Sequence, residues 1–150
     1  MKKRILTSLL AMSACAVIFS ACSESDSYKD GTYEGKSEVY VTGEEEEEDA
    51  GSGYGVATIT IKDNVIIACE FKTYEEDGTL KDDDYGKKGG EIANQDFFNK
   101  AQKAVKACPE YARLLVETND VEQVDAISGA TVNNTEFKEA VYDALNKARE

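Results

Sequence analysis

Two alternating runs joined by a tight turn constrain the fold of this chain more than any other feature. Over residues 54–62, Val56, Thr58 and Thr60 fall on one face, and Ala57, Ile59 and Ile61 on the other. Over residues 65–74, Ile66, Ala68, Glu70 and Lys72 alternate with Val65, Ile67, Cys69 and Phe71. A period of two is the mark of a strand, and the Lys62-Asp63-Asn64 turn between the runs predicts a β-hairpin. One apolar face of such a hairpin needs cover. Two amphipathic helical stretches downstream can supply it, which predicts an α+β fold: a small antiparallel sheet packed against two or three helices.

The first helical stretch begins at Asn94 or Gln95 and carries Phe97, Phe98, Ala101, Ala104, Val105 and Cys108 at three- and four-residue spacing. Pro109 then breaks or kinks the helix, or opens a second short one over 110–117. Residues 118–123 read as a connector. The second stretch carries Phe137, Ala140, Val141, Ala144, Leu145 and Ala148 as one stripe. Asn133, with Glu136 three places on, reads as its capping box. Upstream, Asp30-Gly31-Thr32-Tyr33-Glu34-Gly35 and residues 37–42 suggest a further strand. Glu44 to Asp49 is an unbroken acidic run between glycines, expected to form a mobile, solvated loop. Residues 75–90 form a long polar connection, of the kind that often carries function. Tyr74 and Tyr85 beside it are either stacking platforms for a flat ligand or ordinary surface aromatics.

Charge narrows the function. The chain has 17 Lys+Arg against 30 Asp+Glu. Without Lys2, Lys3 and Arg4, 14 cations remain, and the formal charge is −16. Such a surface repels nucleic acid and anionic lipid heads, so no nucleic-acid partner is expected. The chain has no histidine, which excludes Ser/His and Cys/His hydrolases and His-bearing zinc sites. No metal site is expected elsewhere. Cys69 and Cys108 are either a disulfide or two small buried hydrophobes.

The N-terminus reads as a leader. Lys2, Lys3 and Arg4 precede an apolar run ending in Phe19-Ser20-Ala21-Cys22, a secretory signal whose end resembles a bacterial lipoprotein signal. The expected division is a signal peptide over 1–21, a tether over 22–29 lipidated at Cys22, and one domain over 30–150. That makes the protein a cell-membrane lipoprotein on the extracytoplasmic face.

Asp125-Ala126-Ile127-Ser128-Gly129-Ala130-Thr131 stands immediately before the second amphipathic stretch. Hydroxyls, a permissive glycine and the free amides of a helix start suit an anion such as a phosphate. Asp-x-x-Ser-Gly-Ala-Thr resembles the flavinylation motif of the FMN-binding domain family. That family includes subunits of the Rnf and sodium-pumping NADH:quinone oxidoreductase complexes and small lipoproteins of extracellular electron transfer. Asp30 to Gly35 also resembles its opening strand, and the likeness extends over about 28–148. Glu75-Glu76-Asp77-Gly78 stands near where the respiratory members carry Glu-Thr-Pro-Gly, without the Thr-Pro, so that role is not carried over. Asn133-Asn134 replaces the common Thr-Ser.

The resemblance implies FMN as cofactor. It implies a phosphoester at Thr131, made by a flavin transferase, with Ser128, Gly129 and Ala130 around the phosphate. Asp125 would assist recognition or a metal during transfer. The expected function is electron carriage to an unknown redox partner protein, closer to an electron-transfer flavoprotein than to a stand-alone enzyme, with no catalytic residue. The alternatives are a lipoprotein that binds FMN or another ligand non-covalently, or a surface antigen or interaction module without redox role.

Overall fold

The structure is a computed structural model that describes residues 27–42 and 51–149. The signal peptide, Cys22 and the acidic run lie outside the described residues. The described fold is α+β, with a four-stranded antiparallel sheet and two long helices.

The hairpin is its spine. β3 (Gly51–Lys62) and β4 (Val65–Tyr74) pair along nearly their whole length. Asp63 (φ +51°) and Asn64 (φ +63°) close them, two residues that tolerate the left-handed backbone of a type I′ turn. The other edge of β3 takes two short strands in tandem, β1 (Gly31–Lys36) and β2 (Tyr40–Thr42). The single upstream strand expected over 30–42 is therefore split. At the break Ser37 turns inward and its hydroxyl accepts from the Gly55 N–H at 2.9 Å.

Ala57, Ile59 and Ile61 are buried as the alternation predicts. β4 departs from its simple alternation. Thr60 faces Ala68 while Ile61 faces Ile66, so Ile67 is an extra residue, a β-bulge. The bulge switches parity: Ile66 and Phe71 both reach the core, and Val65 (46% exposed) and Ile67 (51%) face water.

α1 (Gln95–Thr118) packs on β4, and α2 (Thr131–Ala148) on β1 and β3. Asn94 caps α1, its side chain accepting from the Asp96 and Phe97 amides. Pro109 does not end the helix, which runs unbroken to Thr118, because Tyr111, Ala112 and Leu115 beyond it extend the buried stripe. The cost of one lost backbone bond is smaller than that burial. Between the helices Val121 and Val124, 5% and 0% exposed, anchor a short 3-10 turn over Val121–Gln123.

Cys69 and Cys108 are free thiols, which decides between the two readings of that pair. Burial pushes the Cys69 thiol up to about 12 and Cys108 upward as well, as expected of small hydrophobes.

Candidate functional site

The Asp125–Thr131 loop is held by one tyrosine. The Tyr111 hydroxyl, fully buried on α1, donates to the Ala130 carbonyl at 2.9 Å and accepts from the Ile127 amide at 3.0 Å. Ala130 N–H closes a turn onto the Ile127 carbonyl at 2.9 Å, with Gly129 at φ +84° in its third place. That conformation favours glycine, so this position of the motif is a backbone requirement. Ala130 is buried, whereas Asp125, Ser128, Gly129 and Thr131 are exposed.

α2 starts at Thr131 and not at the expected Asn133 cap. Ala130 is the N-cap residue, and no side chain caps the helix. The amides of the first turn are left for another acceptor, at the positive end of the helix dipole. Asn133 and Glu136 do not form a capping box. They lie within the first two turns of the helix and are buried, 8% and 2% exposed. Asn133 Nδ2 donates to the Ala104 carbonyl at 3.3 Å and to Cys108 Sγ at 3.5 Å, which ties α2 to α1.

A cavity of about 390 Å³ opens in front of this helix start, within the usual range for small-molecule sites. Gly129, Ala130 and Thr131 line it; Ser128 and Asp125 do not. Thr73 and Glu136 stand in its wall, Tyr85 and Phe97 supply aromatic surface, and Lys81 and Lys100 supply positive charge. The Lys103 stem packs where a Gly129 side chain would begin, at 3.4 Å.

The long polar connection is what brings Lys81 and Tyr85 here. Lys81 N–H bonds back to the Thr73 carbonyl at 2.9 Å, folding the chain against β4. Gln102 Nε2 donates to the Asp82 and Tyr85 carbonyls at 3.1 and 3.0 Å, fixing the next stretch on α1. Lys81 Nζ lies 5.0 Å from the Tyr85 ring centroid, and burial holds its ammonium below the usual lysine range. A side chain at Gly53 would meet that ammonium at 2.4 Å. Tyr85 packs edge-on against Phe97, centroids 6.2 Å apart. Tyr74 is different: it stacks on Tyr54 at 5.5 Å and does not line the cavity.

Lys81, Lys100, Asn133 and Glu136 are the site residues that the chain pattern alone did not reveal. For the last two the signal was present, since both continue the stripe of Phe137, Ala140 and Ala144 by helical spacing.

An uncapped helix start suited to an anion, beside a cavity with aromatic lining, matches the demands of a phosphorylated planar cofactor. The comparisons agree with that class. The model of the FMN-binding domain matches residues 50–146. The chain belongs to the FMN-binding domain family, and FMN is its cofactor. A crystal structure of the CPE2226 protein from Clostridium perfringens is similar in fold, with a TM-score of 0.52 at 19% identity, over 81% of this chain and 89% of that one. No curated protein matches.

The residues present fit the cofactor. The α2 amides, with Lys100 and Lys103 near, suit the FMN phosphate, and Tyr85 and Phe97 offer flat apolar surface for a ring.

Proposed function

We propose that the protein is a membrane-anchored extracytoplasmic electron carrier whose FMN is esterified through its phosphate to the Thr131 hydroxyl. One observation carries this reading. Thr131 is exposed, is the first residue of an uncapped helix, and lines a cavity that has both aromatic and cationic walls. Formation of the ester would join Thr131 Oγ1 to the FMN phosphorus as the phosphorus–oxygen bond to a leaving group on the transferase's FMN donor breaks and the hydroxyl proton departs with that group; relative to free FMN the product lacks one water. A flavin transferase is the partner that performs it.

The bound FMN supplies the redox chemistry. The helix amides and nearby lysines would offset the phosphate charge, and α1, α2 and the Lys81–Tyr85 stretch would supply the walls for the rest. Asp125 and Ser128, outside the cavity, suit a role in recognition by the transferase. A lipid on Cys22 keeps the carrier at the membrane despite its negative surface, and a covalent cofactor is not lost outside the cell.

The test is intact mass after co-expression with a flavin transferase. The wild-type chain gains one FMN less one water. Thr131→Ala gains nothing and keeps its fold, since a residue at a helix start contributes about 0.5–2 kcal/mol even when it caps. Thr131→Ala carrying the added mass, or a wild type without it, overturns the covalent reading. FMN that washes out on denaturation then points to non-covalent binding.

A further inference from the structure

Glu136 sits little more than one turn after Thr131 and is 2% exposed. It lines the same cavity. No described residue donates a hydrogen bond to its carboxyl, whose oxygens keep contact with the open cavity and are not sealed in the core. A buried carboxyl without a donor is costly as an anion, and what it faces is the space where the cofactor belongs.

The charged and titratable groups around it come from four elements, while β3 and β4 add only uncharged surface at Gly55 and Thr73. Lys81 and Tyr85 face it from the connection after β4, where Glu75 acts on both. Cys108 faces it from α1, which also brings Lys100 to the cavity wall. Tyr40 approaches from β2, and Glu139 from its own helix. Tyr40 donates its hydroxyl to Glu139 and is pushed up to about 12, while burial pushes Tyr85 and Cys108 upward, so all three stay neutral near pH 7. Burial lifts Glu136 to about 7 against the pull of Lys81. It is the group of this cavity placed to gain and lose a proton near neutrality.

We propose that Glu136 is the proton-exchanging group of the flavin pocket, taking a proton when negative charge enters the pocket and releasing it when that charge leaves. The proposal rests on FMN occupying the cavity beside Thr131. The balance is simple. For one electron delivered by an external reductant, one proton passes from solvent to the Glu136 carboxylate, and that electron adds no net charge to the cavity; a second electron finds Glu136 already protonated. Oxidation returns the electron to an acceptor and the proton to solvent. An ionised Glu136 would otherwise repel the incoming charge across a poorly screened cavity.

The test is the midpoint potential of FMN-loaded protein from pH 5 to 9, with loading read first by mass or flavin absorbance. Wild type shows a steeper fall of potential with pH starting near pH 7. Glu136→Gln lacks that segment, matching wild type at pH 5 and lying above it at pH 9. Lys81→Met removes the cation that holds the carboxylate charged, and moves the onset to higher pH. In the cofactor-free protein, the carboxyl band in infrared difference spectra titrates near pH 7 and disappears in Glu136→Gln. Superposed potential curves for wild type and Glu136→Gln in loaded protein overturn this inference alone. A chain that takes up no FMN by either measure overturns the functional reading with it.

Discussion

At the scale of single residues, the site is built by side chains that act against their own solvation. Glu136 is the clearest case. Burial raises its carboxyl from 4.5 to about 7, so the folded state keeps a proton that the unfolded chain has already released. The sign follows directly: below pH 4.5 both states hold the proton and nothing is lost. Stability falls as pH rises toward 7 and is level above it. Glu136→Gln removes this dependence. The variant is expected to be more stable than wild type at pH 8 by on the order of 1–3 kcal/mol, with the difference vanishing near pH 4.5. Urea unfolding at several pH values measures it, and a gap independent of pH would contradict the assignment. Asn133 shows why such residues escape a sequence reading. Asn-x-x-Glu before an apolar stripe is the pattern of a cap, and only the start of α2 at Thr131 turns both residues inward.

At the scale of elements, close backbone approach decides how the helices sit. A side chain at Gly35 on β1 would begin 2.0 Å from the Ala140 carbonyl and 2.4 Å from the Ala144 amide of α2. Both are backbone atoms with no freedom to yield, so Gly35→Ala must lift α2 from the sheet. We expect a loss of at least about 2 kcal/mol in urea unfolding. Unchanged stability would show that α2 is seated less tightly on β1. Asn119 performs the matching task at the far end of α1. It closes the helix in the left-handed conformation, and its side chain pairs with both the amide (2.6 Å) and the carbonyl (3.2 Å) of Ile66. The bulge at Ile67 and this clamp lie next to each other. Together they set the register at the turn end of β4, which no count of alternating residues contains.

At the scale of the whole molecule, the domain presents its cavity between α1, α2 and the connection after β4. Its two described ends meet elsewhere: Tyr28 bridges to Arg149, and Lys29 N–H bonds to the Ala148 carbonyl at 2.9 Å. A tether leaving residue 27 therefore starts beside the C-terminal end of α2, whereas Thr131 stands at the other end of that helix. That separation is compatible with the proposed lipid anchor, because a tether at residue 27 would leave the Thr131 end of the helix clear of the membrane. Membrane attachment is tested by Cys22→Ala. The variant is expected to move from the membrane to the soluble fraction or to accumulate unprocessed. Fractionation and N-terminal mass identical to wild type would refute the anchor.

The sequence by itself determined the α+β class, the hairpin with its turn, the two helical stretches and the place of the Asp125–Thr131 motif at the start of the second helix. Each of these rests on local chemistry: a period, a left-handed turn residue or a run of seven side chains. Tertiary structure alone decided the rest. It carried α1 through Pro109, split the edge strand at Ser37 and kept Cys69 and Cys108 as thiols. It also brought Lys81, Tyr85 and Glu136 around one cavity. These depend on contacts between segments far apart in the chain, where packing and desolvation outweigh what any residue prefers alone.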